Sequence, residues 1–247
     1  MAFRLRLIST AGQENEMPDN KWKMTPSKAK ALMIAKRQLA EFVYDAVNLE
    51  GIPFTLPEIQ TLLDGITVGG HKLSDQQIAI NQKNAWVRLF EWVAAGEFEI
   101  SKEKACELHA IAAKEEALEW GSFRSGGVYI AGTPYAPPHP AELDGIFSRM
   151  KEGLASLDDV YDQAIHLFLV MARSQFFYDV NKRLGRFMMN GHLLAHGYPA
   201  INLPAKRQLE FNQYMLAFYE SNDETEMNQF LRSCLDPRII GIMKEYK

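Results

Sequence analysis

The chain has 247 residues, and its 27 Lys and Arg against 31 Asp and Glu leave a formal net charge of −4. That balance supplies no overall attraction for nucleic acid or for an acidic membrane surface, so any anion site must be local. The length allows one large domain or two small ones with a sizeable core, and the two cysteines, Cys106 and Cys234, lack the spacing of a zinc site or a disulfide framework.

Residues 1–25, polar and carrying Pro18, are expected to be an irregular arm or partly disordered. "TPSKAKALMIAKRQLAEFVYDAVNLEG" places Leu32, Ile34, Ala35, Leu39, Phe42, Val43 and Val47 on one broad apolar face, which predicts an amphipathic helix ending near Gly51. "LPEIQTLLDG" predicts a short helix stopped by Gly65, and "ITVGGHKL" a turn or short ribbon. A long helix is expected from a Ser74 or Asp75 cap to Gly96, with Trp86, Phe90 and Trp92 as packing residues. Another is expected from Ser101 to about Glu116. "GGVYIAGTPYAPPHP" carries the one strand signal, a β-branched and aromatic run broken by Gly132 and four prolines, and predicts a hairpin at about residues 126–138 followed by an extended segment. Helical patterns resume over about 140–155 and 157–177. The second holds "AIHLFLVMA", apolar nearly all round, and should be the central buried helix with His166 as a hydrogen-bonded core residue. Three further helical segments follow "YDVNK", the first stopped by Gly197. His192 and His196 share i,i+4 spacing, but no third ligand accompanies them, so packing at a helix end is expected. No apolar run reaches ~18 residues and no signal-peptide core is present. A soluble, cytoplasmic protein with no membrane or nucleic-acid partner is the expectation.

The stretch "QFFYDVNKRLGR", residues 175–186, concentrates polar groups where a packed helix ends and another begins. The start of a helix offers unpaired backbone N–H groups and a positive dipole end, which together attract anions. Arg183 and Arg186 lie three apart on one helix face and can address one phosphate chain. Asp179, just ahead of the helix, can hold a magnesium ion bridging phosphate oxygens.

These residues resemble the signature of the Fic family, H-P-F-x-[D/E]-G-N-[G/K]-R-x-x-R. Gln175 falls at the histidine, Phe176 at the proline, Phe177 at the phenylalanine, Asp179 at the acidic position and Val180 at the first glycine, while Asn181, Lys182, Arg183 and Arg186 agree with the pattern. Upstream, "GSFRSGGVYIAGTPYAPPHP" is similar to the flap and proline segment that precede the signature, so the resemblance covers roughly residues 120–200. It implies an all-α fold with a small β-hairpin flap: N-terminal arm and helices over residues 1–100, in a regulatory role, and a Fic-like domain over 101–247. The activity it implies is transfer of AMP from ATP to a protein hydroxyl. It places Mg2+ on Asp179, the nucleotide phosphates on Val180, Asn181, Lys182, Arg183 and Arg186, and an extended target segment on the flap at Val128, Tyr129, Ile130, Gly132 and Thr133. The catalytic positions are Gln175 and Asp179. Glutamine accepts no proton at neutral pH, whereas the imidazole it replaces has a pKa near ~6.5, so impaired transfer is expected. Two alternatives follow: a non-catalytic interaction or regulatory module, and, through Lys182, a phosphotransferase resembling the Doc branch. The inhibitory [S/T]-x-x-x-E-[G/N] helix of many Fic proteins is sought at "QTLLDG", with Asp64 as the carboxylate paired to Arg186.

Overall fold

A computed structural model describes residues 22–244, so the expected N-terminal arm falls mostly outside the described residues. The long N-terminal helical pattern is two helices, α1 (Lys28–Arg37) and α2 (Leu39–Leu49), separated by the single residue Gln38. There the N–H of Gln38 is shared between the carbonyls of Ile34 and Ala35, at 3.1 Å each, which tightens the turn and re-aims the chain. Gly51, at φ +79°, ends α2, with the Ile52 N–H returning to the Val47 carbonyl at 3.0 Å. The next helix, α3 (Leu56–Leu63), begins with a reciprocal capping box between Thr55 and Glu58. The long α4 (Leu73–Ala95) has its N-cap at Lys72, two residues before the nearer expected cap, Ser74, and ends on Gly96 in the left-handed region. Ser101 caps α5 (Lys102–Ala112) by accepting the Lys104 N–H.

Between α5 and α6 (Leu143–Leu154) the chain is irregular, save for one 3-10 turn at Pro140–Glu142. This corrects the expected β-hairpin, since no strand occurs among the described residues. A hairpin needs two runs with matched N–H donors. Here the outgoing run Val128–Ile130 turns at Ala131 and Gly132, but the returning run has proline at 134, 137 and 138, which removes its donors. Side chains hold the segment instead. Thr133 Oγ1 donates to Glu220 at 3.4 Å, the Arg173 guanidinium lies 3.9 Å over the Tyr135 ring, and Gly132 seats against Leu216.

The centre of the molecule is the pair α7 (Val160–Ser174) and α8 (Asn181–Ala195). Asp159 caps α7 by accepting from the N–H groups of Tyr161 and Asp162, at 2.8 and 3.0 Å. Gly185 lets the two helices approach closely, because a Cβ there would lie 2.9 Å from Phe168 Cδ2. On another side of α8 Gly191 receives Phe98 and Leu89. α1 and α4 pack on α8, so the N-terminal helices share one hydrophobic core with the rest. α9 (Gln208–Ser221), α10 (Thr225–Ser233) and α11 (Pro237–Lys244) complete the fold. His166 is half-buried rather than in the core and meets Glu224 at 2.8 Å. His192 is buried with its Nε2 at 2.8 Å from Gln163, as helix packing requires. No described helix is long and apolar enough to cross a membrane.

Candidate nucleotide site

The α7–α8 connection is fixed by two buried rings. Phe176 packs on Phe123 and Phe147, while Phe177 stacks on His109 with centroids 3.9 Å apart and planes at 14°. With both rings inward, the backbone turns back on itself, and Gln175 (φ +50°) and Val180 (φ +62°) are both left-handed. For valine this conformation carries a steric cost that glycine avoids. Its side chain is 3% exposed and belongs to the core, so it does not project into an anion's path at the start of α8.

Asn181 locks the turn. Its Oδ1 accepts the Phe177 N–H at 2.9 Å, and its Nδ2 donates to the Phe177 carbonyl at 2.8 Å and to Gln175 Oε1 at 3.0 Å. The Asn181 side chain is therefore committed inside the loop, and what it offers a ligand is its backbone N–H. Gln175 completes this arrangement by donating from Nε2 to the Ala172 carbonyl at 2.6 Å. No side chain caps α8, so its first N–H groups remain open. Asp179 is exposed, with Oδ1 accepting the Val180 N–H at 2.6 Å. A lone exposed carboxylate beside an open helix start suits magnesium, which commonly takes one or two carboxylates and completes its shell with water and substrate phosphate. Among the described residues no group of three or more potential ligands forms a cage of its own.

Two residues that sequence reasoning left unassigned position the loop. Arg124, 2% exposed, donates to four carbonyls: Gln175 at 2.5 Å, Gly126 at 2.7 Å, Pro138 at 2.6 Å and Ser174 at 3.5 Å. One guanidinium thus ties both ends of the 126–138 segment to Gln175. His109 accepts the Gly121 N–H at Nδ1 (3.1 Å), which leaves its Nε2–H to donate to the Asp179 carbonyl, also at 3.1 Å. Burial pushes its pKa down to about 4, so the imidazole is neutral at pH 7.

Gln175 and Lys182 open onto a cleft of about 410 Å³, walled by Ile130 and Ala131 on one side and by Asn212, Met215 and Tyr219 of α9 on the other. Tyr129, 87% exposed, stands at its rim. The Tyr219 hydroxyl is buried without a hydrogen-bond partner, and burial raises its pKa, so the phenol stays protonated. Val128, Gly132 and Thr133 do not line this cleft, although they share the segment that covers it.

Behind the loop both arginines are buried. Arg183 gives Nη1 and Nη2 to the two carboxylate oxygens of Glu116, the first at 2.9 Å, and its Nε lies 3.5 Å from Glu50. Burial opposes the Arg183 charge, but the Glu116 hydrogen bonds and the Glu50 carboxylate outweigh it, and its pKa rises. Arg186 has no such clamp. Burial pushes it down to about 10 against the pull of Glu50 and Asp45, and its Nη2 lacks a hydrogen-bond partner. The nearby carboxylate expected at Asp64 is therefore Glu50. Asp64 is exposed at the C-cap of α3 and enters no ion pair among the described residues, whereas Glu50, at the C-cap of α2, reaches the arginines. The signal was present in the sequence: "AVNLEG" sets Glu50 and Gly51 at the glutamate and glycine of the inhibitory pattern, with Ala46 at its serine position.

Residues 99–193 match the family model of the Fic/DOC family. The chain is 24% identical to the protein adenylyltransferase Fic of Drosophila willistoni over 215 residues, covering 83% of this chain and 42% of that protein. Against its counterpart in Drosophila virilis the identity is 26% over 214 residues, with 83% and 43% covered. The chain thus spans less than half the length of these curated relatives. Among solved structures, Fic-1 from C. elegans superposes with a TM-score of 0.76 at 18% identity, covering 91% of this chain and 69% of that one. A Fic-domain-containing signaling protein from Bacteroides thetaiotaomicron gives 0.72 at 19% identity, covering 91% and 94%. Residues 99–193 are thus similar to the Fic/DOC family, and the helical architecture around them is the one these structural neighbours share.

Proposed function

We propose that this protein binds the polyphosphate of a nucleotide, ATP in the first instance, at the start of α8, and that its AMP-transfer chemistry is curtailed at position 175. The observation that carries this reading is the doubly left-handed loop. Gln175 and Val180 hold the turn around Asn181, leaving an uncapped helix start, Lys182 and the exposed Asp179 beside a cleft large enough for a ligand. Phosphates would lie over the N–H groups of residues 181–183, with the base and ribose between Ile130 and Met215, where Asn212 offers hydrogen bonds. Magnesium at Asp179 would neutralise phosphate charge.

In AMP transfer a protein hydroxyl attacks the α-phosphorus, pyrophosphate leaves, and the hydroxyl proton must go to a base. The Gln175 amide cannot take it. Loss of general-base assistance alone costs ~10²–10⁴-fold, so slow turnover supported by positioning and charge is the expectation. The target would lie along Val128–Ile130, an irregular run with no strand partner, with the exposed Tyr129 as its contact.

A second reading, a binding module without turnover, draws support from the arginines, since Glu116 and Glu50 already neutralise the charges that would receive phosphate. Calorimetry with ATP and magnesium on the protein and on Glu50→Gln tests the binding claim. Glu50→Gln is expected to bind at least about tenfold tighter, as Arg186 loses a competing anion, and absence of binding by both proteins refutes the proposal. Self-labelling of Gln175→His with α-labelled ATP then separates a dormant transferase from a module. Label arriving only from the γ-phosphate would assign the Doc-like phosphotransfer that Lys182 suggests.

A further inference from the structure

We infer that a small cavity bordered by α2, α4 and α8 is a binding site for ordered water, held between Gln82 on α4 and Arg186 on α8. Four buried side-chain polar atoms lack a hydrogen-bond partner among the described residues, and three of them, Gln82 Oε1, Arg183 Nε and Arg186 Nη2, belong to residues lining this one cavity. Its volume is about 30 Å³. A water needs ~10–15 Å³, so there is room for about two. Gln82 is oriented by its other end. It is fully buried, and its Nε2 donates to the Ala112 carbonyl, on the last residue of α5, at 3.2 Å. That bond fixes the amide and leaves Oε1 as its free acceptor. Arg186, 9% exposed, supplies the complementary donor from α8.

A cavity that presents an acceptor and a cationic donor selects its occupant. An apolar guest would leave both atoms unsatisfied. An anion would suit the guanidinium but turn its charge toward the Gln82 oxygen. Water does both tasks, accepting from Arg186 Nη2 and donating to Gln82 Oε1, with Arg183 Nε, 3.5 Å from Glu50, as a further donor. The bridge also has a structural consequence. It completes a polar line from the Ala112 carbonyl through Gln82 to Arg186, joining α5, α4 and α8 past the apolar walls of Phe42, Trp86 and Leu203. A satisfied line of this kind fixes which way both side chains face and so helps to set how the helices meet. The site does not depend on nucleotide binding at the cleft.

Two measurements on the full chain test this. The first is a high-resolution crystal structure from crystals soaked in bromide. The expected result is electron density for water within hydrogen-bond reach of Gln82 Oε1 and Arg186 Nη2. An anomalous bromide peak in the cavity, an empty cavity, or a direct bond between the two side chains would overturn the inference. The second compares Ala46→Thr with Ala46→Val by urea denaturation. Ala46 borders the cavity, and the two branched replacements share a shape and nearly the same helix propensity, so they differ in offering a hydroxyl or a methyl. In a wet cavity the hydroxyl joins the bridge while the methyl displaces water and strands both polar atoms, so Ala46→Thr should keep the higher denaturation midpoint. A midpoint for Ala46→Val equal to or above that of Ala46→Thr would mean dry space and would overturn the inference. Should neither variant fold, the crystal structure decides.

Discussion

Mild acid should unfold this protein through two buried imidazoles, and the sign follows from their surroundings. His109 sits at pKa about 4 and His192 at about 3, both lowered first by burial, against an ordinary value of 6.5. In the unfolded chain both take a proton as the pH falls through ~6.5, and in the folded chain neither does until far lower. The stability they confer is therefore complete above ~6.5 and is lost progressively as the pH drops toward their folded values. Between pH ~7.5 and ~5 each should remove about 2 kcal/mol, roughly 4 kcal/mol together, a large share of an ordinary domain's stability. Ordinary carboxylates stay mostly ionised in that window. Asp45, pushed upward by burial, gains a proton more readily when folded and trims the loss at its acid end. Urea denaturation at several pH values measures the effect. His109→Phe, which keeps a ring against Phe177 but cannot titrate, should be less stable at pH 7 and should show about half the pH dependence. A wild-type stability that stays flat from pH 7.5 to 5, or a His109→Phe slope equal to wild type, would refute the assignment of neutral, buried imidazoles.

Arg124→Met keeps much of the side chain's bulk but abandons four carbonyls, so stability should fall on the order of 3 kcal/mol, and limited proteolysis should open the chain within residues 126–138. Gly191→Ala would set a Cβ 2.3 Å from Phe98 and 2.8 Å from Leu89, and overpacking of that kind should cost about 1–3 kcal/mol or more, read as a lower denaturation midpoint. Asp179→Asn should leave the melting temperature nearly unchanged, because the group is exposed, while weakening the magnesium dependence of ATP binding; equal binding with and without magnesium in the wild type would remove Asp179 from the site.

Local signals carried most of the helices. Ser101, Thr55 and Asp159 cap where their side chains can reach the next turn, and Gly51, Gly96 and Gly197 stop helices in the left-handed region. The hairpin failed because strand propensity in Val128–Ile130 says nothing of whether a partner run can supply donors, and the prolines that follow withhold them. His166 was misplaced because an apolar neighbourhood in sequence does not exclude one wet helix face, where Glu224 waits from 58 residues away. The signature residues were legible as a cluster, but their division of labour was not. Asn181 turned out to close the loop, and Arg183 to be clamped by Glu116, a partner 67 positions distant that no periodicity connects to it. Glu50 was missed for a different reason: two acidic residues each precede a helix-stopping glycine, and only the packing of α2 on α4, and of α4 on α8, decides which one approaches the arginines.

Positions 175 and 180 bear on different links between structure and function. At 175 the backbone is left-handed and the amide side chain accepts no proton, so this residue shapes the turn without offering a base. At 180 a β-branched residue occupies φ +62°, a conformation costing roughly 1–2 kcal/mol for such a side chain. Such strain persists only where the surroundings over-determine it. Here they do, through the Asn181 bonds to Phe177, the His109 bond to the Asp179 carbonyl and the burial of the valine itself. Burying the side chain returns about 1.5–3 kcal/mol, enough to offset the strain. Val180→Gly should consequently lose stability or leave it nearly unchanged while leaving phosphate affinity as it is, because the cradle is backbone and already has the glycine's shape. A marked gain in affinity from that substitution would mean that the valine distorts the loop. On the proposed reading the anion cradle and the proton acceptor are thus separable, the first resting on backbone held by the loop's own hydrogen bonds and the second on the side chain at 175.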